Sequence, residues 1–264
     1  MSFRMCTLAS GSEGNACYAE CDGVRLLIDA GISYRQLCQF LHELGTDPAA
    51  LQAVLLTHEH FDHIGGLSVL MRKHNLPIFA TAGTFEGLSE LKLFENLPKS
   101  GFHLIRSGES FEIGPLQITS VPISHDAKEP VAYRLDAPDW HFAVVTDLGV
   151  YTDQLIRQMQ GLNALLLEAN HNPAMLETGP YPYPLKIRIQ GERGHLSNEA
   201  AAGFLKAVCH PGLKAVLLGH LSRTNNYPLL ALETVRRILK EENTSVIPEL
   251  YIAPPRGLSE ILMS

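Results

Sequence analysis

The segment from Leu55 to Gly66, LLTHEHFDHIGG, packs three histidines and two carboxylates into the six positions His58 to His63, directly after an apolar run. Burying such side chains costs free energy unless something compensates their polarity and charge. A helix would place His58 and Asp62 on one face and turn His60 away, whereas a loop leaving a strand aims all of them inward. The zinc-protease pattern H-E-x-x-H is excluded, because position 62 is aspartate. Imidazole and carboxylate donors suit zinc, manganese and iron, and a catalytic site leaves coordination positions open for water and substrate.

Three more residues of the same chemistry stand at the ends of other apolar runs. LQITSVPISH (116 to 125) ends in His125, HFAVVTD (141 to 147) in Asp147, and KAVLLGH (214 to 220) in His220, as AVLLTH (53 to 58) ends in His58. With RMCTLA (4 to 9), VRLLID (24 to 29) and NALLLEAN (163 to 170), these runs read as strands, several buried on both faces. Helix-like stretches lie at 34 to 44, 66 to 74, 153 to 160, 198 to 208 and 229 to 241, with Ser197 or Asn198 capping the fourth and Pro228 opening the last. Alternating strands and helices predict a layered α/β fold, in which ligands collect beyond the strand ends. Residues distant in sequence then converge: His58, His60 and His125 on one ion, Asp62, His63 and His220 on a second, and Asp147 bridging. Two ions roughly 3.5 to 4 Å apart share a hydroxide and clamp a phosphodiester. The cations compensate the cost of burying so many polar groups.

The chain of 264 residues, 45 % hydrophobic, is long enough for a full core without disulfides and is read as one domain, 1 to 264. No apolar run approaches the roughly 20 residues of a membrane span, and the first residues lack a secretory layout, so a cytoplasmic protein is expected. Five cysteines without a C-x-x-C pair suggest reduced thiols. A formal net charge of -7 argues against coating nucleic acid by bulk electrostatics and leaves room only for a local basic patch.

H-x-H-x-D-H after an apolar strand, followed by a distant His, Asp and His, resembles the metallo-β-lactamase-fold hydrolases. LASGSEGNACY, LLIDAG, THEHFDHIGG, ISHDAKEPVAYRL, TDLG, LLLEANHNPAML, GERGHLSNEAA and LGHLSRTNN are similar to the YycJ/WalJ branch, across essentially the whole chain. The resemblance implies an αββα sandwich of two similar halves with a dinuclear metal site between the sheets. It also implies a metal-dependent nuclease that digests duplex DNA 5' to 3', with manganese, zinc or iron as its metal and a place in DNA repair. Asp29, closing VRLLID, would support the site without binding metal, or is an ordinary turn residue. His195, in GHLSNE, resembles an additional active-site histidine that protonates the leaving oxygen, and Glu168 the carboxylate that orients it. Together with Asp62 these are the candidate catalytic residues; the alternative leaves Glu168 as a loop cap and His195 as a helix-start residue.

The stretch GPYPYPLKIRIQGERGH (179 to 195) interleaves Tyr181 and Tyr183 with Lys186, Arg188 and Arg193, types that stack on bases and pair with phosphate. DNA would lie there, with Arg223 and Asn225 as further contacts; the bland reading is a Pro-rich connection with solvated charges. SGSEGN (10 to 15) reads as a hairpin at least as well as a phosphate cradle. His42, His74, His103, His141, His171 and His210 are taken as surface or packing residues. A cyclic phosphodiesterase, a tRNA-processing endoribonuclease, a thioesterase and a metal-bound regulatory module are the competing functions. No membrane or obligate protein partner is implied.

Overall fold

A computed structural model describes residues 3–94, 101–242, 244 and 246–263. The first sheet contains β1 (Phe3–Ala9), β2 (Ala16–Cys21), β3 (Val24–Ile28), β4 (Ala53–Leu55), β5 (Ile78–Ala80) and β6 (Phe102–Leu104). The second contains β7 (Ser110–Ile113), β8 (Leu116–Pro122), β9 (Val131–Ala137), β10 (Trp140–Val145), β11 (Ala164–Glu168), β12 (Ala215–Gly219) and β13 (Glu249–Ile252). A short β14 (Leu262–Met263) returns to pair with β1. The strand orders are β14-β1-β2-β3-β4-β5-β6 and β13-β12-β11-β10-β9-β8-β7. In each half an antiparallel meander, ending in β3 or β10, is continued by parallel strands, β4 to β6 or β11 to β13.

Period-two alternation builds the layers. Leu26, Ile28 and Leu55 face Tyr133, Phe142 and Leu217 across the space between the sheets. The intervening residues point outward: Leu27 and Val54 pack on α1 (Tyr34–Glu43) and, after α2 (Phe61–Ile64), on α3 (Leu67–Lys73). A fourth helix, α4 (Ala82–Ser89), follows β5. Leu165 and Leu218 meet α5 (Asp153–Gln158) and, beyond α6 (Pro173–Thr178) and α7 (Tyr183–Gln190), α8 (Asn198–Val208) and α9 (Pro228–Glu241). Every residue of β4, β11 and β12 is buried, as strands covered on both faces require. The result is the αββα sandwich.

Several boundaries differ from the sequence reading. The strands end at Leu55, Pro122 and Val145, so His58, His125 and Asp147 lie in the turns beyond them. The loop expected to carry the whole 58–63 cluster tightens into α2 at Phe61, where the carbonyls of His60 and Phe61 accept from the backbone N–H groups of His63 and Gly65. Within 179–195 a helix replaces the Pro-rich connection: α7 starts behind Pro182, and Pro184 sits in its first turn, where the missing N–H costs nothing. Ser197 rather than Asn198 caps α8, its hydroxyl accepting from Ala200 N at 3.1 Å. Ser10 to Asn15 joins the antiparallel β1 and β2, which is the hairpin reading. Among the described residues no helix is long and apolar enough to cross a membrane.

Candidate metal centre

The polar residues of the cleft stand at the C-terminal ends of strands that, within each sheet, run in one direction. Asp29 follows β3, His58 and His60 follow β4, His125 follows β8, Asp147 follows β10, and His220 follows β12, while Glu168 is the last residue of β11. Asp29, Asp147 and His220 have φ of 61°, 59° and 55°, left-handed values that cost a non-glycine residue about 1–2 kcal/mol. Strain repeated at three strand ends around one cleft is characteristic of a built site. Both halves use the same D-x-G turn, Asp29 to Gly31 and Asp147 to Gly149. A Cβ on Gly31 would lie 1.7 Å from Asp62 O, and one on Gly149 2.4 Å from Gly191 O. Only glycine lets each turn touch the segment it supports.

Among the described residues, donor atoms lie within 4.8 Å of one another in each of four groups: His58, His60 and His125; Asp62, His63 and His220; His58, His63 and Asp147; and Asp147, Glu168, His195 and His220. The first two are the triads expected for the two ions, and Asp147 adjoins both. Its Oδ1 is 3.3 Å from His220 Nε2 and 3.9 Å from His125 Nε2, and its Oδ2 is 3.2 Å from His63 Nε2. His58 Nε2, His220 Nε2 and Asp147 Oδ2 are sealed from solvent yet make no hydrogen bond. Buried imidazole and carboxylate atoms that make no hydrogen bond are costly, and a divalent cation is the ligand that suits this donor set.

Neighbouring groups hold His63, His125, His195 and His220 by Nδ1 and so fix the direction of the opposite nitrogen. Asp29 Oδ2 meets His63 Nδ1 at 2.8 Å and accepts from Thr57 Oγ1 at 2.8 Å, while Oδ1 accepts from Thr57 N. Asp29 therefore holds the His63 ring by its Nδ1. His125 Nδ1 faces the Gly194 carbonyl at 3.1 Å. Glu168 Oε1 lies 2.7 Å from His195 Nδ1 and 3.2 Å from His220 Nδ1, and Oε2 accepts from Leu148 N. The register explains the sharing, since Glu168 pairs with Gly219, the residue before His220.

Charge divides the histidines into two kinds. Burial pushes His63 and His220 down, but Asp147 and the other carboxylates around them outweigh it, holding both well above the ordinary range. His58 and His125 are pushed down by burial and stay neutral. Burial would raise Glu168, yet His195 and His220 bring it down to about 2, and Glu168 in turn raises His195 against the burial that lowers it. The cleft thus holds ionised carboxylates, with protons on those imidazoles that a cation would displace.

The residues from 24 to 221 match the family model described as β-lactamase superfamily domain. The chain is 36 % identical over 246 residues to exodeoxyribonuclease WalJ of Streptococcus pneumoniae, covering 93 % of this chain and 91 % of that protein. It is 35 % identical to exodeoxyribonuclease YycJ of Bacillus anthracis, covering 93 % and 92 %. The chain belongs to the WalJ/YycJ family of the β-lactamase superfamily. Its fold matches the metallo-β-lactamase-fold protein YhfI of Bacillus subtilis with a TM-score of 0.71 at 19 % identity, over 100 % of this chain and 99 % of that one.

Around the cleft of this WalJ/YycJ-family chain, the residues expected to meet substrate separate. Tyr183 is 74 % exposed on α7, with Lys186 on the same helix. Arg188 Nε donates to Asp126 Oδ2 at 2.5 Å. Arg193 donates to the carbonyls of His125 and Ala127, so its guanidinium braces the loop carrying His125. Arg223 pairs with Glu13 on the surface. Asn225 has no exposed surface, which corrects its assignment as a DNA contact: it is walled in, its Oδ1 only 2.6 Å from where a Gly179 Cβ would stand. His171 joins none of the donor groups and is buried, and burial lowers it to about 4.

The sequence reading missed Asn15, Thr57 and Asp126. Asn15 Nδ2 approaches Asp62 Oδ2 at 3.2 Å and His63 Nε2 at 3.0 Å. SEGN offered an asparagine at a tight turn, but nothing in its spacing pointed 47 residues ahead. Asp126 carries a signal in the sequence, a second donor directly after His125.

Proposed function

We propose that this single domain, 1 to 264, is a metal-dependent phosphodiesterase acting as a 5'-to-3' exonuclease on double-stranded DNA. The observation that carries the reading is the Glu168–His195 pair, 2.7 Å apart, beside the two histidine triads. The relatives named exodeoxyribonuclease supply the substrate class. Two divalent ions, manganese or zinc with iron as a third choice, would be held by His58, His60 and His125 and by Asp62, His63 and His220, with Asp147 common to both. Bound there, they would supply an acidified water and neutralise charge on the phosphate.

The protein's own residues account for the remaining steps. Glu168 keeps the His195 proton-bearing Nδ1 turned inward and leaves Nε2 to face the leaving oxygen, where the imidazolium donates its proton. Asp29 and the Gly194 carbonyl hold His63 and His125 in register. Tyr183 and Lys186 on α7 offer a stacking face and a cation to the strand backbone. The cavity beside His195 and His220, reached past Tyr181, Leu185 and Arg188, measures about 160 Å³. Pockets that enclose a small ligand run roughly 300–1,000 Å³, so this one suits a phosphate of a polymer lying across the cleft better than an enclosed cyclic nucleotide.

The test is digestion of an internally labelled linear duplex with manganese, zinc or a chelator, followed in time on a denaturing gel. Metal-dependent loss progressing from the 5' ends is expected. Intact DNA under every metal, with hydrolysis of a small phosphodiester, would overturn the substrate while keeping the metal centre.

A further inference from the structure

Asp126 is a carboxylate at this cleft whose placement the ligand scheme does not use. It follows His125 in the turn after β8, and its two oxygens do different things. Oδ2 accepts from Arg188 Nε at 2.5 Å, reaching across 62 residues of sequence to α7. Oδ1 is buried with no hydrogen-bond partner, 3.3 Å from His125 Nε2 and 3.9 Å from His60 Nε2. His125 Nε2 is itself 3.3 Å from His60 Nδ1, so both rings turn nitrogens toward the place where their triad would hold a cation. An ionised oxygen left unpaired at that spot is costly unless the same cation satisfies it.

We propose that Asp126 is a further ligand-competent carboxylate of the His58–His60–His125 position, and that its ion pair with Arg188 ties α7 to occupancy of that position. Oδ1 would be available to a cation held by the triad, while Oδ2 holds the Arg188 guanidinium. A cation at the triad then draws on the carboxylate that Arg188 also uses, so metal and arginine compete for its negative charge. The competition has a sign that an ordinary structural ion pair lacks. Removing the carboxylate weakens the metal position, whereas removing the arginine leaves a freer carboxylate and does not weaken it. The inference rests on the metal reading above and not on DNA being the substrate.

The experiment is a zinc titration of the full chain in competition with a chromogenic chelator, without nucleic acid. The variants are Asp126→Asn and Arg188→Ala, each checked for native circular dichroism. Asp126→Asn is expected to weaken one of two zinc equivalents about 10- to 100-fold, the range seen when groups supporting a metal site are removed, and to leave the other equivalent intact. Arg188→Ala should bind zinc as tightly as the parent or up to a few-fold more tightly. Unchanged affinity in Asp126→Asn, loss of both equivalents, or parallel weakening in the two variants would overturn the proposal. Failure to digest DNA with these zinc affinities as expected would count against the substrate reading alone.

Discussion

Glu168 Oε1 lies 2.7 Å from His195 Nδ1 and 3.2 Å from His220 Nδ1, so one fully buried oxygen orients both the proposed proton donor and a proposed metal ligand. His195, raised by Glu168 against burial, keeps its proton to higher pH than an ordinary histidine. An acid works only while protonated, so the rate should fall as pH rises through the His195 pKa. Glu168→Gln removes the charge that raises this pKa and should move the alkaline limb of the pH–rate profile to lower pH. A profile of kcat against pH for both proteins checks this; an unmoved limb would detach His195 from the rate.

His195→Ala should cost about 10²- to 10⁴-fold in kcat on DNA, whose leaving oxygen needs a proton. On a bis(p-nitrophenyl) phosphodiester, whose leaving group departs as an anion, the loss should be far smaller. Equal losses on both substrates would assign His195 to binding.

Metal affinity should rise with pH. His63 and His220 hold protons well above the ordinary histidine range, and a cation at their nitrogens must displace those protons. Calorimetric titrations in buffers of different ionisation enthalpy should therefore show proton release on binding. At a metal concentration about 100 times Kd the folded state gains about 2.7 kcal/mol, so chelation should lower Tm by about 5–10 °C.

Asp147 adjoins both triads, so Asp147→Ala should abolish turnover and cooperative binding of the second ion together. Near-normal hydrolysis by this variant would defeat the bridging assignment.

Phe61, 71 % exposed between His60 and Asp62, and Tyr183, 74 % exposed on α7, are aromatic faces open to a ligand. Base stacking contributes about 1–3 kcal/mol per aromatic, so Phe61→Ala or Tyr183→Ala should raise the KM for DNA about 5- to 150-fold. Lys186→Ala should weaken DNA binding uniformly across sequences and reduce its salt slope by about one. Unchanged KM and slope in all three would move the DNA elsewhere.

The donors of both triads were legible in the chain, because H-x-H-x-D-H and the histidines and aspartate after apolar runs are local patterns that need only a strand to aim them. The layered architecture was legible for the same reason: alternation of apolar residues along a strand is read one segment at a time. The helix over 183–190 was hidden by its prolines, which look like a connection until one sits in a first turn. Three decisions belonged to the tertiary structure alone. Pairing of Glu168 with Gly219 put one carboxylate between His195 and His220, and packing buried Asn225 away from any substrate. The turn after β8 set Asp126 between Arg188 and the histidine triad. Each depends on register and burial between segments tens of residues apart, and a chain's local preferences do not encode which of its polar atoms will end without a partner.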